Sequence, residues 1–218
     1  PQYLVTQYIT MYVAAPPPYV SRLHSHSLGY AADHYVGMSA DGCVLLVRMT
    51  VTACICGFFR DPDRVVPAVE GGVVSPADGR IIVCEKVATS DFYDSECIQV
   101  SIFMSVFNVH VNRMVVDGRV ADVAYHPGKF FAANRDKASR ENEHNALFVE
   151  TPSGQRLVVV QIAGLIARRI VCGAQPGDEL KRGQRFGMIC FGSRLDVYLP
   201  PDARPDVQIG DKVQAGTS

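Results

Sequence analysis

The sequence predicts a mainly β fold of the α+β class. Its core would be a barrel-sandwich-like β domain built from hairpins, preceded by an apolar N-terminal segment that could be helical. Three observations carry this. The 218 residues hold 18 Gly and 13 Pro, a load that suits many short strands and turns. From Phe58 onward, short apolar runs alternate with turn residues. One seven-residue pattern, G-D-x-apolar-x-x-G, occurs twice, at 177–183 and 210–216.

Composition sets the outer bounds. The length fits one domain or two small ones. Lys+Arg number 21 against 22 Asp+Glu, a net charge of −1, which argues against a broad nucleic-acid surface. At 48% hydrophobic and 20% charged residues, the chain is globular rather than disordered. The seven Cys (Cys43, Cys54, Cys56, Cys84, Cys97, Cys172 and Cys190) contain no C-x-x-C. That spacing argues against a zinc site and against a secreted disulfide framework, and reads as buried thiols in a reducing cytoplasm.

A boundary is placed at 57/58. Residues 1–57 form a membrane-associating or irregular segment, and 58–218 a β-rich domain. No charge precedes Arg22, so the opening stretch with Tyr3, Tyr8, Tyr12, Tyr19 and Pro16-Pro17-Pro18 lacks the basic start of a signal peptide. The sequence begins at Pro1 without an initiator Met, so the chain could extend further upstream. Residues 21–41 read as a polar loop, and His24-x-His26 as part of it rather than as a metal site. The apolar run 43–59 contains Arg48. It suits a buried strand or helix, or a shallow membrane-surface element, better than a span of roughly 20 uncharged residues.

Beyond the boundary, strands are expected in order. Arg80 to Cys84 follows the turn Ser75-Pro76-Ala77-Asp78-Gly79. Residues 98–111 make one long strand or two short ones. Met114-Val115-Val116 and 119–123 flank Asp117-Gly118, read as a two-residue hairpin turn. Leu147-Phe148-Val149 and 157–160 flank Pro152-Ser153-Gly154, a second hairpin. Residues 185–189 and 195–199 lie on either side of Phe191-Gly192-Ser193, and the polar stretch 134–145 is a loop or short helix. In the repeat, Gly and Asp form a turn, one apolar side chain points inward and Gly closes it. Such corners recur in barrel-sandwich domains of the biotinyl and lipoyl type.

Chemistry-bearing motifs are sparse. There is no G-x-S-x-G, P-loop or G-x-G-x-x-G. What remains is Gly192-Ser193 between two strands. A Gly carbonyl is open to attack, and a Ser hydroxyl beside it becomes a nucleophile if a base takes its proton. His110, His126 and His144 are the candidate bases, and His110 would alternately be a core residue. Asp78 is by default a turn carboxylate, or could hold a His tautomer as in a Ser-His-Asp arrangement.

The motifs taken together resemble a family. Val74-Ser75-Pro76-Ala77-Asp78-Gly79-Arg80, Val109-His110, Tyr125-His126-Pro127-Gly128, Asn142-Glu143-His144-Asn145, Gln161-Ile162-Ala163-Gly164 and the run from Phe191-Gly192-Ser193 to Pro200 occur in that order. With Phe58-Phe59-Arg60-Asp61-Pro62, they resemble the short bacterial and archaeal form of phosphatidylserine decarboxylase over about residues 56–216.

The resemblance implies a proenzyme that cuts itself between Gly192 and Ser193. The products would be a β chain, 1–192, and an α chain, 193–218. It implies that Ser193 becomes a pyruvoyl group, the cofactor, which holds the substrate amine as a Schiff base while carbon dioxide leaves. His110 and Asp78 carry over as the catalytic partners of Ser193, with His110 as proton carrier and Asp78 orienting and charge-stabilising it. No metal is implied. The partners implied are phosphatidylserine, a membrane surface and the α and β chains as a heterodimer, which could pair again; nucleic acid is not among them. The location implied is the inner membrane, peripherally on its cytoplasmic face.

Two departures stand out. Long-form members often carry a His three residues before the His110 position, suited to the lipid phosphate; here that residue is Phe107. His144, Arg113, Lys129 or Arg168-Arg169 would have to serve instead. The alternative reading of the residues is a barrel-sandwich carrier, or a non-catalytic binding module. A carrier, however, needs a Lys at a hairpin tip.

Overall fold

The computed structural model describes residues 30–131, 141–165, 169–190 and 192–218, with side chains in the N-terminal segment from residue 41 onward. The opening Tyr and Pro residues, His24 and His26 therefore lie outside the described residues, as does most of the polar stretch 134–145. The chain divides into two compact units between Phe59 and Arg60.

The first unit contains helix α1, Tyr30–Phe58. It includes part of the stretch expected to be loop and all but the last residue of the apolar run. Its 18 residues Asp41–Phe58 are long and apolar enough to cross a bilayer, and they are almost wholly exposed. Val44, Leu45, Leu46 and Val47 are consecutive and all exposed. Four successive positions cover a full helical turn, so no single stripe is reserved for a protein core. Cys43, Cys54 and Cys56 are exposed on this helix and Cys97 alone is fully buried. This corrects the expectation of buried thiols, because three of them lie on a helix whose described side chains are almost all exposed.

The second unit is β. An eight-stranded sheet curls into a half-barrel in the order β11-β1-β2-β10-β6-β5-β4-β8. Its strands are β1 (Gly79–Val87), β2 (Cys97–Met104), β4 (Gly118–His126), β5 (His144–Glu150), β6 (Arg156–Ile162), β8 (Glu179–Leu180), β10 (Ser193–Leu199) and β11 (Lys212–Val213). A three-stranded sheet holds β3 (Val111–Arg113), β9 (Arg185–Ile189) and β7 (Ile170–Cys172) in the order β3-β9-β7. All pairings between these strands are antiparallel. The expected run 98–111 therefore resolves into two strands, β2 and β3, in different sheets.

The large sheet has an internal two-fold. Read outward from its centre, β10, β2, β1 and β11 on one side match β6, β5, β4 and β8 on the other. The repeated pattern builds the equivalent outer corners. Gly177 and Gly210 have φ of 97° and 101°, and Gly183 and Gly216 of 78° and 77°. This left-handed region is cheap only for Gly. Asp178 Oδ2 accepts from the Gln175 amide and Asp211 Oδ2 from the Gln208 amide, each at 2.8 Å. Gly177 N donates to Val120 O at 2.8 Å and Gly210 N to Ile81 O at 2.9 Å. The register slips in both halves at the same place, between Ile81 and Val83 and between Val120 and Asp122.

The two-fold also corrects the Asp117-Gly118 hairpin. Gly118 does not have the positive φ that a two-residue hairpin turn needs. It begins β4, which pairs with β5 and β8 rather than with the preceding run. Gly is required there by close approach: a Cβ on Gly118 would lie 2.7 Å from Glu150 O. Asp78-Gly79 is its twin, with Phe103 O in the way of a Cβ on Gly79. The two corners grip each other through Val74 N to Val115 O and Arg113 N to Pro76 O, both 2.9 Å. The second hairpin stands as expected: β5 and β6 pair from His144↔Ile162 to Glu150↔Arg156, around Gly154 at φ 80°.

Strand alternation buries both faces of the sheet centre. Leu195, Val197 and Leu199 of β10 join Ile98, Val100, Ile102, Leu147 and Val159 in the larger core. The opposite face packs Tyr198, Ala146, Val158, Val160 and Ile162, covered in part by Phe92 and Tyr93. Each fully buried aliphatic side chain contributes about 1.5–3 kcal/mol. Strands buried on both faces read as continuous apolar runs, as β6 does.

Candidate active site

Ser193 is the first residue of β10 and is fully buried. Its register partner is Met104, the last residue of β2, so the two side chains share a face. Ser193 Oγ donates to Met104 Sδ at 3.7 Å. Gly192 before it has φ 60°. A Cβ there would meet nothing within 4 Å, so it is the backbone conformation rather than space that selects Gly. Phe191 lies outside the described residues.

A row of buried amides stands on the same face. Asn145 Nδ2 donates to Gln161 Oε1 at 3.2 Å, and Gln161 Nε2 donates to Asn112 Oδ1 at 2.8 Å. Asn112 Nδ2 ends the row at Met104 Sδ, 4.0 Å away. All three amides are at most 4% exposed. Gln161 and Asn145 lie inside the motifs 161–164 and 142–145, whose resemblance assigns them no role. A polar residue at an inward strand position was the available signal.

His110 sits in the connection between β2 and β3 and is fully buried. Its Nδ1 lies 2.9 Å from Asn108 O. A carbonyl only accepts, so Nδ1 carries the hydrogen and, in the neutral ring, Nε2 carries the lone pair. The His110 pKa is pulled down to about 4, chiefly by burial; the Asn108 bond raises it, the nearby Arg60 charge lowers it and the Asp78 charge raises it. The ring is thus neutral at pH 7.

Asp78 closes the turn before β1 and is 8% exposed. Both oxygens bind Arg64 Nη2, at 2.8 and 3.0 Å, and Oδ1 also accepts from the Ala215 amide at 2.8 Å. Its charge reaches His110, and its hydrogen bonds to Arg64 and Ala215 serve the corner. Arg64 escaped the sequence reading because it lies in a loop with no pattern.

The headgroup candidates separate. His144 is paired with Ile162, which is paired with Arg194, so it faces away from Ser193. It stacks on His126 at 4.9 Å between ring centroids, with Phe92 edge-on at 5.2 Å. Arg113 is buried and holds Asp61 at 2.8 Å. Lys129 pairs with Glu141 at 3.1 Å, with both side chains exposed. Arg169 is exposed, and Arg168 lies outside the described residues.

Behind Ser193, on the opposite face, lies a buried ion pair. Arg194 Nε donates to Asp196 Oδ1 at 2.6 Å, and Arg194 Nη2 to Ser101 Oγ at 2.8 Å. Gln99 adds a bond to Asp196 Oδ2 at 3.2 Å. Burial raises the Asp196 pKa against the lowering by Arg194. Among the described residues, no group of three His, Cys, Asp or Glu side chains converges as metal ligands.

Comparison with known proteins follows the same residues. A family model described as phosphatidylserine decarboxylase matches residues 51–218. A phosphatidylserine decarboxylase proenzyme of Nitrosomonas eutropha is 54% identical over 165 residues, 76% of each chain. One of Desulfotalea psychrophila is 46% identical over 191 residues, 87% of this chain and 89% of its own. One of Nitrosomonas europaea is 57% identical over 158 residues, 72% and 73% of the two chains. The match takes in the whole β unit, Ser193 and its surroundings included, and the chain belongs to the phosphatidylserine decarboxylase family.

Proposed function

We propose that the chain cuts itself at Gly192/Ser193 and then decarboxylates phosphatidylserine to phosphatidylethanolamine. The observation that carries this is the head of β10: a buried Ser193 hydroxyl directly after a left-handed Gly192. The buried, neutral His110 is the matching base, with its lone pair on Nε2.

The first step uses the chain's own atoms. His110 Nε2 takes the Ser193 hydroxyl proton, and Oγ attacks the Gly192 carbonyl carbon. The peptide C–N bond breaks, the Ser193 nitrogen takes a proton, and the acyl group now sits on Oγ as an ester. The negative charge of Asp78 favours the imidazolium formed in between, with Arg64 holding Asp78 in place. Loss of the Ser193 Cα proton and cleavage of the Cβ–Oγ bond then leave a carboxylate on Gly192 and a dehydroalanine at residue 193, which takes up water and releases its nitrogen as ammonia to give the pyruvoyl group.

The pyruvoyl group expected at residue 193 supplies an electron-poor carbonyl that captures the substrate amine and accepts the electrons left by carbon dioxide. The residues around position 193 fit it. Position 193 is buried, the Asn112–Gln161–Asn145 row supplies amides to orient polar groups, and His110 can return a proton to the substrate carbon. Cleavage need not release the α chain. It falls just before β10, which lies between β2 and β6 in the middle of the sheet. The two chains would remain a heterodimer held by the same strand pairs. Helix α1, apolar and exposed, supports contact with a membrane; the seat proposed is peripheral, on the cytoplasmic face of the inner membrane.

The test is carbon dioxide release from carboxyl-labelled phosphatidylserine by the purified protein. Release by the natural sequence and none by Ser193→Ala is expected. Equal release by both would remove the mechanism.

A further inference from the structure

We infer that the end of the sheet bearing Ser193 is itself a bilayer-docking surface, with Phe107 and Leu165 entering the acyl layer beside the site. The inference rests on the lipid substrate proposed above and adds which face of the β unit meets it.

Strand register fixes what shares that end. Met104, Ser193, Ile162, His144 and His126 close or open neighbouring strands at one level of the sheet. The connections that leave there hold three exposed large apolar residues: Phe107 at 84%, Leu165 at 54% and Phe131 at 36% exposure. Tyr125, at the end of β4, adds a fourth at 57%. Side chains of this size are seldom grouped at one end of a soluble domain without a partner.

The other end of the same strands is the control. Its connections 88–96 and 151–155 hold no exposed large apolar side chain among the described residues, and the longer connection 200–211 holds one, Ile209, next to Gly210 where the chain returns to β1. They expose Asp91, Asp94, Glu96, Asp202 and Asp206, against Arg204. The Ser193 end exposes Arg60 and Arg169, with Lys129 paired to Glu141. An anionic lipid surface would attract the second set and repel the first.

Chain entry points the same way. Arg60, the first residue of the β unit, donates to the Phe107 carbonyl at 2.6 Å. The first residue of the β unit thus lies at this end. Aromatic and aliphatic tips flanked by cations suit the headgroup–acyl boundary.

The chain contains no Trp, so a single substitution gives a clean reporter. Phe107→Trp, Leu165→Trp and, at the far hairpin, Ser153→Trp would be made in the full chain. The probe is vesicles of phosphatidylcholine and phosphatidylglycerol, with plain or brominated acyl chains. For Phe107→Trp and Leu165→Trp we expect a blue shift of about 10 nm and roughly twofold or greater bromine quenching, as for side chains at the acyl boundary. Ser153→Trp should show neither. Equal quenching at Ser153→Trp, or none at Phe107→Trp and Leu165→Trp, overturns the inference. The vesicles contain no phosphatidylserine, so failure of the decarboxylase reading would appear separately, as absent carbon dioxide release.

Discussion

The two halves of the large sheet share a backbone and differ in what it carries. Each has an Asp-Gly corner, a strand with a slip at its third residue, and a G-D-x-apolar-x-x-G return. Asp117 accepts from the Arg182 amide at 2.8 Å, as Asp78 does from Ala215. There the likeness ends. Asp117 is exposed, and Asp78 is buried against Arg64. On the central strands, β6 presents Val158 and Val160 where β10 presents Arg194 and Asp196. β10 alone begins at a Gly-Ser pair. The corner carboxylate is thus a structural device of the fold, which one half has additionally drawn toward His110.

The largest expected effect lies in the half that holds the chemistry. His110→Ala should slow self-cleavage by about 100-fold or more, the usual worth of a positioned proton carrier. It is measured as the fraction of cut chain over time. An unchanged rate would return His110 to the core and leave the two halves functionally alike.

Next comes the buried pair behind Ser193. Arg194→Ala leaves Asp196 buried without its cation, at a cost of about 3–5 kcal/mol. The double variant Arg194→Met with Asp196→Leu, which makes β10 resemble β6, should fold within about 1–2 kcal/mol of the natural chain. Denaturant unfolding in the Ser193→Ala background measures both. A double variant as weak as the single one would show that β10 needs charge where β6 does not.

The twin carboxylates give a smaller contrast. An Asn still accepts from the backbone amide, so Asp117→Asn should cost under about 0.5 kcal/mol. Asp78→Asn also removes the charge that Arg64 faces, and should cost about 1–3 kcal/mol and slow cleavage. Equal losses at the two sites would mean that the corner alone matters.

The pH dependence is of similar size. Folded His110 holds its proton only below about 4, against 6.5 when unfolded. The unfolded state therefore binds more protons between these values, and stability falls as pH drops from about 6.5 to 4. The loss is on the order of 2 kcal/mol after solvent screening. It should be absent in His110→Asn. Self-cleavage should hold its rate down to about pH 5 and fail toward 4, where the base is protonated.

Much of this was legible in the sequence, for reasons specific to each part. The G-D-x-apolar-x-x-G corners were readable because positive-φ glycines and an Asp capping its own loop are local requirements. So was the β5–β6 hairpin. The Asp117-Gly118 turn misled because Gly there answers a distant carbonyl, Glu150 O, rather than its own torsion. Helix α1 was ambiguous because an apolar run without a polar face has no period to read. The motif resemblance named Ser193, His110 and Asp78, yet could not show that Asp78 spends its hydrogen bonds on Arg64 and Ala215. Arg64, Met104 and the amide row become visible only when strands far apart in sequence are paired.

The central claim is that the bond before β10 breaks by the chain's own chemistry. Intact mass analysis under denaturing conditions, on freshly purified protein and after incubation, tests it most directly. The account predicts loss of the 23.8 kDa species and two fragments, 1–192 and 193–218, the smaller blocked at its N-terminus. Ser193→Ala should stay whole. A natural-sequence chain that remains at 23.8 kDa while releasing carbon dioxide from phosphatidylserine would contradict it.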